Sequence, residues 1–442
     1  MYYIDKETEL TPALLHKILD KFTTSELPKR ERWKNYYDGK HKILSKTYSD
    51  VTKPCSRIVT NLCKVVADTY AGYIVGKPVT YTSNDNIDDI QEIINFNDDE
   101  SQNIQWLTNA LICGVGYELQ WIDSEAQVRY SQINPLNGFT IHAASLEQEL
   151  LYFVRWYDMN NFDDSDLKCV EVYDAYTKKI YHCHGLVGAL EFIGEEPHPF
   201  GDVPVSAFYL NNDEESIFAQ AISLNDAYNE LQSSEVDDYS AFCDAYLALV
   251  GMDAEAEDIA SMKENRVLLL PEGGSATYLT KVANDAQIQN MLENIKKNIF
   301  KVTAAPDLSD ENFMAQSGVA IRYKLVGFEN MAASIVTNFT KAIQRRIELM
   351  CNVLKLKASD AIWRDVNINF VRNLPSDLTE TITLVQGLNG IVSDETLLSQ
   401  IPFITDIQSE IEAVKKQKEE NMSMYGGYSF GIQEDEEEDD IE

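Results

Sequence analysis

The sequence predicts an α+β protein. Three long stretches in its second half carry apolar residues at helical spacing. A central block is made of short aromatic and β-branched segments with turn residues between them. Shorter helices with clear start signals precede that block.

The elements follow in chain order. In TPALLHKILDKF, Thr11 is the N-cap and Pro12 takes the first helical position. LPKRERWKNYYDG repeats the signal, with Pro28 near the start and Gly39 as the stop. From Ser56 to about Ile74, the residues Ile58, Leu62, Val65, Val66, Thr69 and Tyr70 share one helical face. GKPVTYTS then reads as a strand, and another helix is predicted over 99–112. Between Tyr117 and Leu210, YELQWID, QVRYSQI, LLYFVRWYDM, KCVEVYDAY and KKIYHCHG read as antiparallel strands.

A long helix is predicted over 216–250, faced by Leu224, Ala227, Tyr228, Leu231, Tyr239, Phe242, Tyr246 and Leu249, with Gly251 as its C-cap. Residues 252–282 read as an acidic helical turn, the strand RVLLL, the turn PEGG and the strand ATYLTKV. A second helix over 285–303 sets Ile288, Met291, Leu292, Ile295 and Ile299 in register, and Pro306 bars its continuation. PDLSDENFMAQSG is polar, acidic and without period, so it reads as a loop. A third helix over 319–354 places Met331, Ile335, Phe339, Ile343, Ile347, Met350 and Leu354 three or four apart, and Gly327 is a point for a kink. NINFVRNLP reads as a returning strand. Helical segments follow Ser376, Ser393 and Thr405, the last with Gln408 in a capping box. The end, EDEEEDDIE, reads as a disordered acidic tail.

The 442 residues include 37 basic and 72 acidic ones, a formal net charge of −35. Affinity for nucleic-acid phosphates comes from lysines and arginines that displace counterions, so the chain as a whole has no attraction for DNA. Any such contact is local. MYYIDKETEL has no basic region followed by an apolar run, so no signal peptide is expected. No apolar run is long enough to span a bilayer. Seven scattered cysteines point to reduced thiols in a cytoplasm.

Candidate chemistry is sparse. AGYIVGKP has a Gly-Lys pair, but a phosphate loop needs a glycine at Ala71 and a hydroxyl at Pro78. Gly76 and Pro78 instead punctuate a helix-to-strand turn. His182 and His184 share a strand face with Cys183 on the other, and only Cys169 or His198 offers a further zinc ligand. The acidic pairs Asp163/Asp164 and Asp237/Asp238 have the form of two-metal nuclease ligands, but 72 acidic residues produce such pairs by chance. No Ser-His-Asp order stands out, and no cofactor or metal is expected.

The order of elements resembles the portal proteins, the head-to-tail connectors, of long-tailed double-stranded-DNA bacteriophages. The resemblance starts at NYYDGKHKIL and runs through SRIVTNLCKVVADTYAGYIVGKPVTYT, NDAYNELQSSEVDDYSAFCDAYLALVG and IFKVTAAPDLSDENFMAQSGVAIRY to NFVRNLPSDLTETI and GIVSDETLLSQIP. The final MSMYGGYSFGIQEDEEEDDIE stands outside the pattern.

The resemblance implies a homo-oligomeric ring, a dodecamer, at one capsid vertex of the virion, assembled in the host cytoplasm. Double-stranded DNA passes through it without sequence specificity. Its implied partners are the terminase large subunit, head-completion or adaptor proteins, scaffold and major capsid protein, with no membrane and no catalysis. Carried onto this chain, it implies a wing at 1–215, stem helices at 216–250 and 285–305, and a clip at 251–284. It further implies a tunnel loop at 306–318, a long kinked helix and return strand at 319–375, a crown at 376–420 and a tail at 421–442. The clip would dock terminase and adaptor through Glu255, Glu257, Asp258, Glu264 and Glu272.

In the loop, Asp307, Ser309, Asp310, Glu311 and Asn312 would face the DNA, with Phe313 and Met314 packing on a neighbouring subunit. The acidic residues would repel phosphates and keep the duplex sliding. Lys296, Lys297, Lys301, Arg322 and Lys324 would offer weak phosphate contacts around it. The alternative from another class is an acidic cytoplasmic metal-dependent phosphoesterase or nuclease. A large ring favours the first reading, a monomer or dimer the second.

Overall fold

Thr11 caps the first helix as its sequence predicts: its hydroxyl accepts the Leu14 N–H at 3.3 Å. In this computed structural model, residues 1–418 are described apart from 51, 52, 84, 160–165, 243–246, 251–272, 279–284, 310–317, 357–362, 374–377, 389, 400, 402, 403 and 405–409. Strand β1 (Tyr2–Ile4) precedes α1 (Pro12–Lys21), which passes through a π turn into α2 (Leu27–Tyr37). Gly39, at φ +81°, ends α2 in the left-handed region open to glycine. After a 3-10 turn at Lys42–Ser45, the chain runs extended to α3 (Leu62–Val75). Then come β2 (Thr80–Thr82), α4 (Asp88–Phe96) and α5 (Asp99–Cys113).

The predicted β block forms two sheets. Strands β3 (Val115–Ile122), β4 (Val128–Ile133) and β10 (Val205–Tyr209) make one, in the order β10-β3-β4. Strands β5 (Gly138–Ala143), β6 (Leu150–Asp158), β7 (Leu167–Tyr173), β8 (Thr177–His184) and β9 (Glu191–Pro197) make the other, antiparallel throughout. Strand β1 joins its edge in parallel, pairing Tyr2 with Ile141, an addition that three residues of sequence do not announce. α1 and the π turn after it cover one face of this sheet with Leu15, Leu19 and Phe22, all fully buried, and Phe22 stacks on Phe139 at 5.2 Å. Each such side chain contributes about 1.5–3 kcal/mol. From the other face, Phe153 and Tyr173 pack against Val115, Tyr117 and Leu119 of the smaller sheet. The period of two holds in β8, where Cys183 is buried and His184 is exposed.

The helical half differs from expectation in three places. α3 starts at Leu62 rather than Ser56, capped by the Asn61 side chain on the Lys64 N–H at 2.9 Å. α4 has no counterpart in the expected elements. α6 (Ile222–Phe242) stops short of residue 250, and β11 (Leu247–Val250) pairs antiparallel with β12 (Ser275–Tyr278). Leu249, expected on the helix face, pairs with Ala276. A short apolar run such as LALV satisfies either period, and its partner strand decides. The strand RVLLL and the turn of helix before it lie outside the described residues.

α7 (Asp285–Val302) and α8 (Gly318–Leu356) match the second and third long helices, and α8 is unbroken at Gly327. β13 (Asn367–Asn369) returns to pair with β2. α9 (Leu378–Leu388), α10 (Asp394–Ser399) and a helix at 410–418 follow. The Thr405–Gln408 capping box and the acidic tail lie outside the described residues. The main core lies between α3, α5 and α8. Trp106 meets Phe339 edge-on at 5.4 Å, and Phe208 stacks on Phe339 at 4.7 Å. Gly76 ends α3 where a Cβ would lie 2.1 Å from the Gly72 carbonyl oxygen, so the GKP stretch is a helix-to-strand turn. Among the described residues, no helix is long and apolar enough to cross a membrane.

Candidate functional site

Leu292 and Ile299 are buried, as the spacing predicts, and with Phe300, which the spacing did not single out, they fix α7 against the core. Met291 is not part of that face; it stands 48% exposed. At the end of α7, Thr303 bonds back to the Ile299 carbonyl at 2.8 Å, and Tyr70 donates to the Thr303 carbonyl at 2.8 Å. Ala304 then turns the chain at φ +52°, a conformation that costs an alanine about 1 kcal/mol or more. Ala305 is buried and Pro306 follows.

The first residues of the acidic loop close a clasp. The Lys296 ammonium lies 2.8 Å from Asp307 Oδ2 and 2.6 Å from Ser309 Oγ. Asp307 Oδ1 accepts the Ser309 N–H at 3.1 Å and its hydroxyl at 2.6 Å. Partial burial alone would raise the Asp307 carboxyl, but Lys296 and the Ser309 donors outweigh it and hold it below the ordinary carboxylate value. Lys296 was expected to meet phosphates and Asp307 to repel them; in the structure they neutralise one another and anchor the loop to α7. Lys297 faces Glu293 at 2.7 Å, one turn back on the exposed side of α7, and Lys301 is exposed. Arg322 and Lys324 fall in the first turns of α8. Asp310, Glu311, Asn312, Phe313 and Met314 lie outside the described residues, as do Glu255, Glu257, Asp258, Glu264 and Glu272 of the expected clip.

Toward its C-terminal end, α8 is anchored by a buried ion network. Arg346 Nε donates to Glu118 Oε1 at 2.7 Å, and its Nη2 and Nη1 reach Glu118 and Asp99 at 2.5 Å. Arg346 and Glu118 are fully buried. Gln132 supports Glu118, while Tyr81, Tyr130 and Asn103 support Asp99. Burial opposes the Arg346 charge, and the two carboxylates overcome that opposition. The guanidinium also lies over the rings of Tyr130 and Trp106.

α6 is held by a polar ladder. Its buried Asn225, Asn229, Ser233 and Asp237 recur every fourth residue. They accept the backbone N–H groups of Leu62, Thr60, Ile58 and Ser56, every second residue of the extended segment, at 3.1, 2.9, 3.0 and 2.5 Å. The two repeats match, since four helical residues rise about 6 Å and two extended residues about 6.6 Å. Lys46 closes the end, 3.3 Å from both Asp237 and Glu230. Asp237 is therefore a structural acceptor rather than half of a metal pair, and Asp163 and Asp164 lie outside the described residues. Among the described residues no three potential ligands converge on a metal position. The Asn-x3-Asn-x3-Ser-x3-Asp spacing was the available signal for the ladder, hidden beside the apolar face.

The sequence profile of the family described as "Phage portal protein, SPP1 Gp6-like" matches residues 15–424. A portal protein of Bacillus phage SPP1 is 23% identical over 466 aligned positions, covering 97% of this chain and 90% of its own length. A portal protein of Clostridium phage phiCD119 is 22% identical over 413 positions, covering 85% of this chain and 89% of its own length. The matched span takes in the clasp, the buried network and the ladder, and the chain belongs to the phage portal protein family, SPP1 Gp6-like.

Proposed function

We propose that the chain forms a ring, a dodecamer, at one capsid vertex, and that DNA is packaged and ejected through its centre. One observation carries this within the family: the succession of α6, an antiparallel strand pair, α7, an acidic loop and the 39-residue α8. α6 and α7 act as the stem. The segment between them, whose strand β11 already begins at Leu247, acts as the clip that docks terminase and later a head-completion protein. The loop after Pro306 borders the DNA path and its carboxylates keep phosphates from sticking. The sheets and N-terminal helices form a wing toward the shell and scaffold proteins, and the segment after 376 forms a crown. The protein conducts DNA and turns over no substrate of its own.

Mass photometry of the purified protein tests the assembly. A chain of 50.1 kDa gives a twelve-subunit ring of about 600 kDa. A species of one or two chains at every concentration, or ATP hydrolysis or DNA cleavage by the isolated protein, contradicts the proposal.

A further inference from the structure

Residues 28–57 hold nine lysines and arginines against three acidic residues, while the rest of the chain holds 28 against 69. The structure draws this basic stretch onto one surface. Asn61 donates to the Tyr37 carbonyl at 2.9 Å, Lys64 to the Tyr37 hydroxyl at 3.0 Å and Arg57 to the Lys46 carbonyl at 3.0 Å. The C-terminus of α2, the 3-10 turn and the extended segment are thereby tied together along α6. Arg32, Lys40, Lys42, Lys53 and Arg57 are exposed there, with no ion pair among the described residues. None of the five meets a carboxylate among the described residues, although Arg57 donates to the Lys46 carbonyl, Arg32 lies over the Tyr36 ring, and exposed Glu31, Asp38 and Glu230 lie on neighbouring positions.

We propose that this surface binds the phosphate backbone of duplex DNA, without sequence preference, at a place separate from the candidate loop. This rests on the reading of the chain as a DNA-handling ring. Protein partners take their affinity from buried apolar anchors. Spread cations on long side chains suit a uniformly charged rod instead. The Lys46 end of the surface sits beside Asp237, away from the loop. The Glu235 side of α6 meets α7 at Gln289, and from there to Val302 α7 runs about 20 Å.

The test uses the assembled full-length protein and a fluorescent 20-base-pair duplex of random sequence, with affinity followed from 50 to 200 mM salt. Four or five phosphate contacts predict a logarithmic slope near −4 and a loss of affinity of about 250-fold over that range. Replacing Arg32, Lys40, Lys42, Lys53 and Arg57 by glutamine should keep the particle mass and abolish the salt-dependent binding. Replacing Lys297 and Lys301 by glutamine should leave it unchanged. The proposal is overturned if wild type binds no duplex at 50 mM salt, or if the fivefold variant keeps the slope. Loss of binding in the loop variant alone also overturns it, while leaving the channel reading intact. If the fivefold variant no longer assembles, the surface is a subunit contact. If wild type binds poly-glutamate but not DNA, it serves an acidic protein. Either result rejects the DNA assignment.

Discussion

Arg346 satisfies two carboxylates that would otherwise be buried without a cation, since Glu118 has no exposed surface and Asp99 little. Arg346→Met should therefore destabilise the protein by about 3–5 kcal/mol, because the charge left behind costs more than the pair contributed. Adding Glu118→Gln should recover part of the loss, and urea unfolding of both variants checks this. The Asp307 clasp obeys a different rule. Its carboxyl is held below the ordinary value, so its contribution is complete above the ordinary carboxylate pKa and fades as pH falls through the lowered one. The clasp should be equally closed at pH 7 and pH 5, and open only below about pH 4. Exchange of the Ser309 amide, which the carboxylate accepts, reports it: protection should persist at pH 5 and drop in Asp307→Ala at every pH. Loss of wild-type protection between pH 7 and 5 contradicts the assignment. Neither partnership was legible beforehand. Lys296 and Asp307 are eleven positions apart across a chain reversal that hangs on Ala304, an alanine in a conformation that favours glycine.

Among the elements, those set by apolar period and caps were readable. α1, α2, α5, α7 and α8 lie where Thr11, Pro28, Gly39 and the three-four spacings put them. The strands of the β block were readable by alternation, while the division into two sheets depends on contacts far apart in sequence. The misplaced boundaries have physical causes. Residues 56–61 carry a helical apolar pattern, yet their backbone is drawn out because α6 supplies side-chain acceptors at matching intervals. That polar stripe carries no hydrophobic signal. Asn229→Ala should cost about 1–3 kcal/mol, since it strips a partner from the Thr60 N–H and from buried His41. Tyr239→Ser, at a side chain 73% exposed on the same helix, should cost under about 0.5 kcal/mol in the isolated subunit. Thermal unfolding of the two variants distinguishes a ladder that holds α6 from one that merely lies beside it; equal shifts would mean the latter.

For the whole molecule, membership of the portal family was visible in the order of weak motifs, and the structure adds how the parts are fixed. α8 is pinned by ions at Arg346, α7 by its apolar face and the Lys296 clasp, and α6 by the ladder. Each of the three long helices is thus held by its own support, and the proposed constriction between Pro306 and Gly318 joins two helices so fixed. The candidate loop residues Asp310 and Glu311 were named from composition and resemblance, and their place on the DNA path is the central claim. Asp307 belongs to the clasp, so the decisive variant spares it and replaces Asp310 and Glu311 by lysine. The measurement is the length of DNA packaged into particles built with that variant. Rings of normal mass with stalled or shortened packaging are expected, because every subunit would present a phosphate clamp to the duplex. Full-length DNA packaged at the wild-type rate would mean that the loop does not face the DNA.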